Sequence, residues 1–203
     1  MSVCHRQHQP SASLTCWAAW KTRTTWTAWM TTEPRNRSRD TGSALDGWIE
    51  GVVHIYPLRV QYEDTDAGGI IYHSNYVSFA ERGRSACLRC LGIRQEDALA
   101  ALQQGDSEAV MLVVRRVEVD FMMTAGLGAE LRVETALLKL GGASMKLQQT
   151  IRHVGEGTKI EDGHILARLL VDIGCVAPHV DGGKRPRRMP SDLAERLRQA
   201  LTD

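Results

Sequence analysis

The sequence predicts an α+β fold in which one long antiparallel sheet curls around one long helix. Apolar residues recur at three- and four-residue steps over one main stretch, Tyr76 to Leu91, and alternate singly with polar residues over five others, one before that stretch and four after it. Short glycine-containing turn signals, Gly141-Gly142, Gly155-Glu-Gly157 and Asp162-Gly163, separate the later alternating stretches as antiparallel hairpins require. One helix and one such sheet bury each other most economically when the sheet wraps the helix.

Taken in order, residues 1–42 differ in kind from the rest. Trp17, Trp20, Trp26 and Trp29 sit among Thr, Ser, Arg and His without helical or strand period, and Pro34-Arg-Asn-Arg-Ser-Arg-Asp40 follows. Such a stretch builds no core. It reads as a disordered tail or as the product of a start placed too far upstream, against the alternative of a membrane-surface or partner-binding segment. The domain proper is expected over 43–203. His54 to Tyr62 alternates as a half-buried strand, with Tyr56, Leu58, Val60 and Tyr62 on one face. In the following helix Tyr76, Phe79, Ala80, Gly83, Ala86, Cys87, Cys90 and Leu91 share a face, with Ser74 expected as its cap and Gly92 as its end. Gln95 to Gln103 adds a short second helix. Strands are expected around Arg116–Phe121, Glu130–Leu137, Met145–Arg152 and Arg168–Cys175, and a final surface helix over Ser191–Leu201, preceded by Pro190 and capped by Ser191.

The bulk numbers bound the function. A chain of 203 residues fits one domain. Its 25 Lys plus Arg against 24 Asp plus Glu leave a net charge of +1, so no global field points to nucleic acid or to an anionic membrane. Apolar runs are far shorter than the ~18 residues of a membrane span, and the N-terminus lacks the apolar stretch of a secretory leader. A cytoplasmic protein with reduced cysteines is expected, or one peripheral to the inner membrane. The five cysteines are odd in number. Cys87 and Cys90 form a single C-x-x-C, which lacks the further ligands of a structural metal site and reads as helix packing.

One segment carries chemistry. Tyr62-Glu-Asp-Thr-Asp-Ala-Gly-Gly-Ile-Ile-Tyr-His-Ser-Asn-Tyr76, continued by Phe79-Ala-Glu-Arg-Gly-Arg84, resembles the opening of the 4-hydroxybenzoyl-CoA thioesterase family, nearest to the bacterial acyl-CoA thioesterases associated with the Tol-Pal system. The similarity runs from about Trp48 to the C-terminus and includes Val113-Val-Arg-Arg-Val-Glu-Val-Asp-Phe121 and Leu140-Gly-Gly-Ala-Ser144. It implies a hotdog fold acting as a homodimer or homotetramer, hydrolysis of acyl-CoA or acyl-carrier-protein thioesters, and no cofactor or metal. It also implies Asp66 as the catalytic carboxylate, His73 at the helix start and Tyr62 beside them. Gly126-Leu-Gly-Ala-Glu130 departs from the family pattern, which more often has a proline and paired acids there, so the local turn geometry is open.

The residue types support that reading independently. Gly68 and Gly69, with Ile70, let a substrate approach the loop backbone closely. His73 sits where free N–H groups and the helix dipole favour an oxyanion. A thiol near the cysteine reference pKa of about 8.5 leaves without a strong general acid, so one carboxylate suffices. Each residue also has a plainer role: Asp66 as a turn residue, Tyr62 as core, His73 as a cap. Asp64 is read as a structural hydrogen-bonding residue, and Glu81 as helix surface or an interprotomer contact, held in reserve as the acid. Lys184-Arg-Pro-Arg-Arg188 is either a contact for coenzyme A phosphates or a solvated linker. Two other functions compete, a non-catalytic hotdog module that binds acyl thioesters or an envelope partner protein, and a hotdog dehydratase.

Overall fold

The computed structural model describes residues 45–106, 108–155, 163–178 and 183–202. The segment 1–42 and most of the expected Gly155–Gly163 turn lie outside the described residues. The sheet has seven strands, β1 (Trp48–Glu50), β2 (Val53–Arg59), β3 (Met111–Phe121), β4 (Glu130–Leu140), β5 (Ser144–His153), β6 (His164–Pro178) and β7 (Lys184–Pro186). All neighbours are antiparallel, in the order β1-β2-β4-β5-β6-β3, and β7 pairs with β6 beyond the end of β5. Helix α1 (His73–Cys90) lies on the inner face, with α2 (Gln95–Gln103) after it and α3 (Ser191–Leu201) at the end of the chain. Phe79, Ala80 and Cys87 of α1 meet Leu131, Val133, Ile151, Leu169 and Val171 in one buried cluster, which Leu193, Leu197 and Leu201 of α3 complete. At Gly83 the helix touches the sheet so closely that a Cβ would stand 2.7 Å from Cγ1 of Val133.

The strand-helix-four-strand order is as expected, with the short β1 and β7 in addition. Four local expectations are corrected. Strand β2 stops at Arg59, and Tyr62 instead opens a 3₁₀ turn, Tyr62–Asp64, because the Asp64 carboxylate and the Gln61 backbone bond each other across it. Ser74 lies inside the first turn of α1. The chain is held extended through Tyr72 by bonds from Ile71 N–H to Ala125 O and from Tyr72 N–H to Asp64 O, and the helix begins directly after them. Ser191 is likewise the first helical residue, with extended Pro190 at the cap position accepting the Ala194 N–H. Lys184-Arg-Pro-Arg-Arg188 is not a linker, since its first three residues form β7. Gly92, at φ +69°, follows α1 where the sequence places its end.

Candidate active site

Asp66 to Ile70 form the tip of a tight turn whose base is a bridge between Thr65 and Ile71. Three short bonds close it. Asp66 N–H donates to Ile70 O at 3.0 Å, Gly69 N–H to Asp66 O at 3.0 Å, and Gly68 N–H to Oδ1 of Asp66 at 2.7 Å. Gly69 has φ +75°, a conformation that side chains rarely adopt. Its surroundings are open, so this glycine is required by the backbone rather than by space. The turn docks on the β3–β4 connection through an Ile70–Gly126 bridge. A Cβ on Gly126 would lie 3.1 Å from Gly69 O. The Gly126–Ala129 turn, where proline is missing, closes through Gly128 at φ +81° and bonds Val60 on both sides.

The two aspartates of the D-x-D differ sharply. Asp64 is 3% exposed, and its Oδ2 accepts the Gln61 N–H at 2.8 Å while its carbonyl accepts the Tyr72 N–H at 2.9 Å. It braces the approach to α1. Asp66 is exposed, with Oδ1 held by Gly68 and no protein donor on Oδ2 among the described residues. Such a carboxylate is oriented yet open to a water or a substrate.

Helix α1 begins seven residues after Asp66, on the strand that closes the same turn. The backbone N–H groups of His73 and Ser74 meet no protein acceptor among the described residues, which leaves two donors at the positive end of an 18-residue helix. The His73 ring is exposed and packs on Tyr72, ring centres 4.4 Å apart. One turn on, buried Tyr76 stands edge-on to Phe121 at 5.4 Å and donates to Met123 O at 3.5 Å, tying the helix start to the end of β3. Asp66, Gly68, Gly69 and Ile70 are thus brought together in one turn that leads into His73.

Tyr62 is not core in the protomer, since it is 83% exposed. Among the described residues its ring makes no hydrogen bond or ring contact, and only its carbonyl serves the turn, accepting from Thr65. Ile70, Tyr72, Phe121, Met122, Met123 and Leu127 are exposed as well. Glu81 pairs with Arg84 on α1, so the reserve acid serves as a counterion to a buried guanidinium. Burial pushes the Cys87 thiol up to about 12, and Cys90 donates to Asp46 O at 3.3 Å. Among the described residues no group of three or more His, Cys, Asp or Glu side chains is arranged to hold a metal, and no helix is long and apolar enough to cross a membrane.

Sequence reasoning missed a buried polar row on the inner face. His54 of β2, Thr135 of β4 and Gln149 of β5 are paired neighbours, each 0% exposed, and Arg84 reaches Gln149 from α1. The signal was present, because Gln149 falls on the inward side of the alternation that Met145, Leu147 and Ile151 define.

Comparison with known proteins bears on the family and the fold. Residues 60–197 match the family model described as the thioesterase-like superfamily. An Escherichia coli protein named acyl-CoA thioester hydrolase YbgC is 33% identical over 144 residues, which cover 71% of this chain and 95% of that protein. A probable thioesterase from Bartonella henselae superposes with a TM-score of 0.56 at 31% identity, covering 68% of this chain and 99% of the other. The 4-hydroxybenzoyl-CoA thioesterase of a Pseudomonas shares the fold, with a TM-score of 0.60 at 16% identity, over 71% of this chain and 98% of that one.

Proposed function

The chain belongs to the thioesterase-like superfamily, and on that premise we propose that it hydrolyses acyl-CoA thioesters to free acid and thiol, with Asp66 delivering the attack and the start of α1 receiving the oxyanion. The observation that carries this reading is the pairing, within one short segment, of an exposed and oriented carboxylate with two unpaired N–H groups at a helix start. As the thioester carbonyl turns tetrahedral, its oxygen gains charge that the His73 and Ser74 N–H groups stabilise; one such donor is worth roughly 3–4 kcal/mol. Asp66 acts as general base on a water through Oδ2, or as the nucleophile through the same oxygen. Gly68 fixes the direction in either case. The His73 ring and Tyr62 line the approach, while Gly69 and Ile70 bound the substrate.

We read the working unit as a homodimer or homotetramer. Strand β3 is 11 residues long with β6 as its one described neighbour, and Val114, Phe121, Met122 and Met123 are exposed along it and just beyond it. A long sheet edge with its backbone groups unpaired on one side among the described residues, and with exposed apolar residues at Val114 and Phe121, is a template for a second copy. Coenzyme A, rather than a carrier protein, is favoured by the place of the basic run. Lys184–Pro186 lies near the Met111 end of β3, two strands over, and Phe121 is at the other end, about 33 Å away at ~3.3 Å per residue. Antiparallel pairing of β3 with its copy brings the basic run of the partner subunit to the Phe121 end, where it would meet coenzyme A phosphates. The location we read as cytoplasmic, where acyl-CoA is made, or peripheral to the inner membrane.

The test is thiol release from a panel of aliphatic and aromatic acyl-CoA and acyl-carrier-protein substrates. Turnover that depends on Asp66 supports the reading. Tight binding of an acyl-CoA without thiol release would instead identify a non-catalytic binding module.

A further inference from the structure

We infer that Gln149 is a positioning residue for the reaction, acting through α1 to fix where the oxyanion site stands; this rests on the thioesterase reading above. The apolar contacts of α1 are non-directional, so alone they allow the helix to slide or roll on the sheet. The Gln149 amide is directional. Its Nε2 donates to Ala80 O at 2.8 Å and to Thr135 Oγ1 at 3.0 Å, and its Oε1 accepts from Nη1 of Arg84 at 2.8 Å.

One side chain therefore grips α1 at two points a turn apart, Ala80 and Arg84, and its remaining donor anchors it to β4. The grip is buried, with Gln149 and Ala80 at 0% and Arg84 at 5% exposed. Any shift of the helix would leave several of these groups unpaired away from water, which is what makes the register firm. Gly83 sits between the two grips against Val133, so the helix has no slack toward the sheet either.

The grip begins two turns from His73, about 10 Å at ~1.5 Å per residue. The Asp66 turn is tied to the protein elsewhere, through Ile70 and Ile71 to Gly126 and Ala125. The start of α1 is also tied by Tyr72 N–H to Asp64 O and by Tyr76 to Met123 O, and the Gln149 grip adds the directional hold that sets how the helix behind that first turn lies on the sheet.

Gln149→Met keeps the volume and removes the grip. Turnover of a good acyl-CoA substrate is expected to fall about tenfold with KM within about twofold, since misplacement of catalytic groups by about 1 Å costs rate on this scale or more. Hydrogen–deuterium exchange in the peptide spanning residues 70–79 should rise. Leu193→Ala, on α3 and not among the residues that line the cavity beside Arg84, serves as a control of comparable melting-temperature loss and should leave kcat within about twofold. If Gln149→Met does not fold, Thr135→Val, which removes only the anchor to β4, should lower kcat about threefold. Unchanged exchange and kcat in Gln149→Met would overturn the inference, as would an equal loss of kcat in Leu193→Ala. Raised exchange in a protein whose wild type releases no thiol would uphold the helix positioning and reject the thioesterase reading instead.

Discussion

Gly68 donates its backbone N–H to Oδ1 of Asp66 at 2.7 Å, and a Cβ on that same glycine would stand 3.1 Å from the oxygen. One residue therefore both aims the carboxylate and depends on having no side chain. Because Oδ1 is occupied, Oδ2 is the oxygen left to act on a substrate.

Asp66→Asn is the sharpest test of that oxygen. An asparagine can still accept the Gly68 N–H through its carbonyl, so the turn should persist and the melting temperature should hold. A neutral amide neither takes a proton from water nor forms an anhydride. Turnover is expected to drop by at least about two orders of magnitude. Steady-state thiol release beside a melting curve decides it, and turnover within threefold of wild type would remove Asp66 from the chemistry.

The two glycines should separate in their effects. Gly68→Ala pushes a Cβ toward Oδ1 at 3.1 Å, so the carboxylate must move by a few tenths of an ångström. We expect kcat to fall about tenfold with little change in stability. Gly69→Ala meets open space but imposes a side chain at φ +75°, which costs about 1 kcal/mol and should appear as a lower melting temperature. Identical profiles for the two variants would contradict this division.

Alternation and helical period gave α1 and the four strands β3 to β6 because each element has one wet and one dry face. The candidate site turn was legible because its D-x-D-x-x-G pattern and following His-x-Asn-Tyr stretch resemble a family's opening segment, while aspartate beside paired glycines alone reads only as a turn. The departures from expectation come from specific hydrogen bonds that hydrophobic pattern does not report, some local, as between Gln61 and Asp64, and some between segments, as between Ile71 and Ala125. Tyr62 leaves the strand because Asp64 closes a turn, and Ser74 is no cap because Asp64 and Ala125 already hold the backbone. The donor-rich helix start was readable, but the grip of Gln149 on Ala80 and Arg84 links residues 69 and 65 positions apart, which no local pattern reports.

The edge of β3 makes a prediction about assembly. Val114 is 45% exposed in the protomer, and burying a charge there at an interface without a partner costs several kcal/mol. Val114→Glu should shift the protein to monomer by light scattering and remove most activity, since the basic run of the partner subunit would no longer reach the Phe121 end. A monomeric wild type would refute the assembly, and a monomeric variant with full turnover would show that one protomer completes the site.

His54 supplies a pH dependence that is separate from catalysis. The residue is 0% exposed, Nε2 lies 2.7 Å from Asp46 O, and Nδ1 has no partner among the described residues. That pattern fits a neutral ring with the proton on Nε2, donated to the carbonyl. Burial pushes its pKa below the ordinary histidine value, only partly offset by Asp46. The folded state therefore resists protonation while the unfolded chain accepts it near pH 6.5. Stability contributed by neutral His54 is present above that pH and is lost as pH falls toward the lower folded value, by up to about 1.4 kcal/mol per pH unit. His54→Gln removes this titration and can still donate to Asp46 O. Urea unfolding between about pH 5 and pH 8 should show a steeper acid loss in the wild type than in the variant. Parallel curves would mean that His54 accepts its proton without cost in the folded protein.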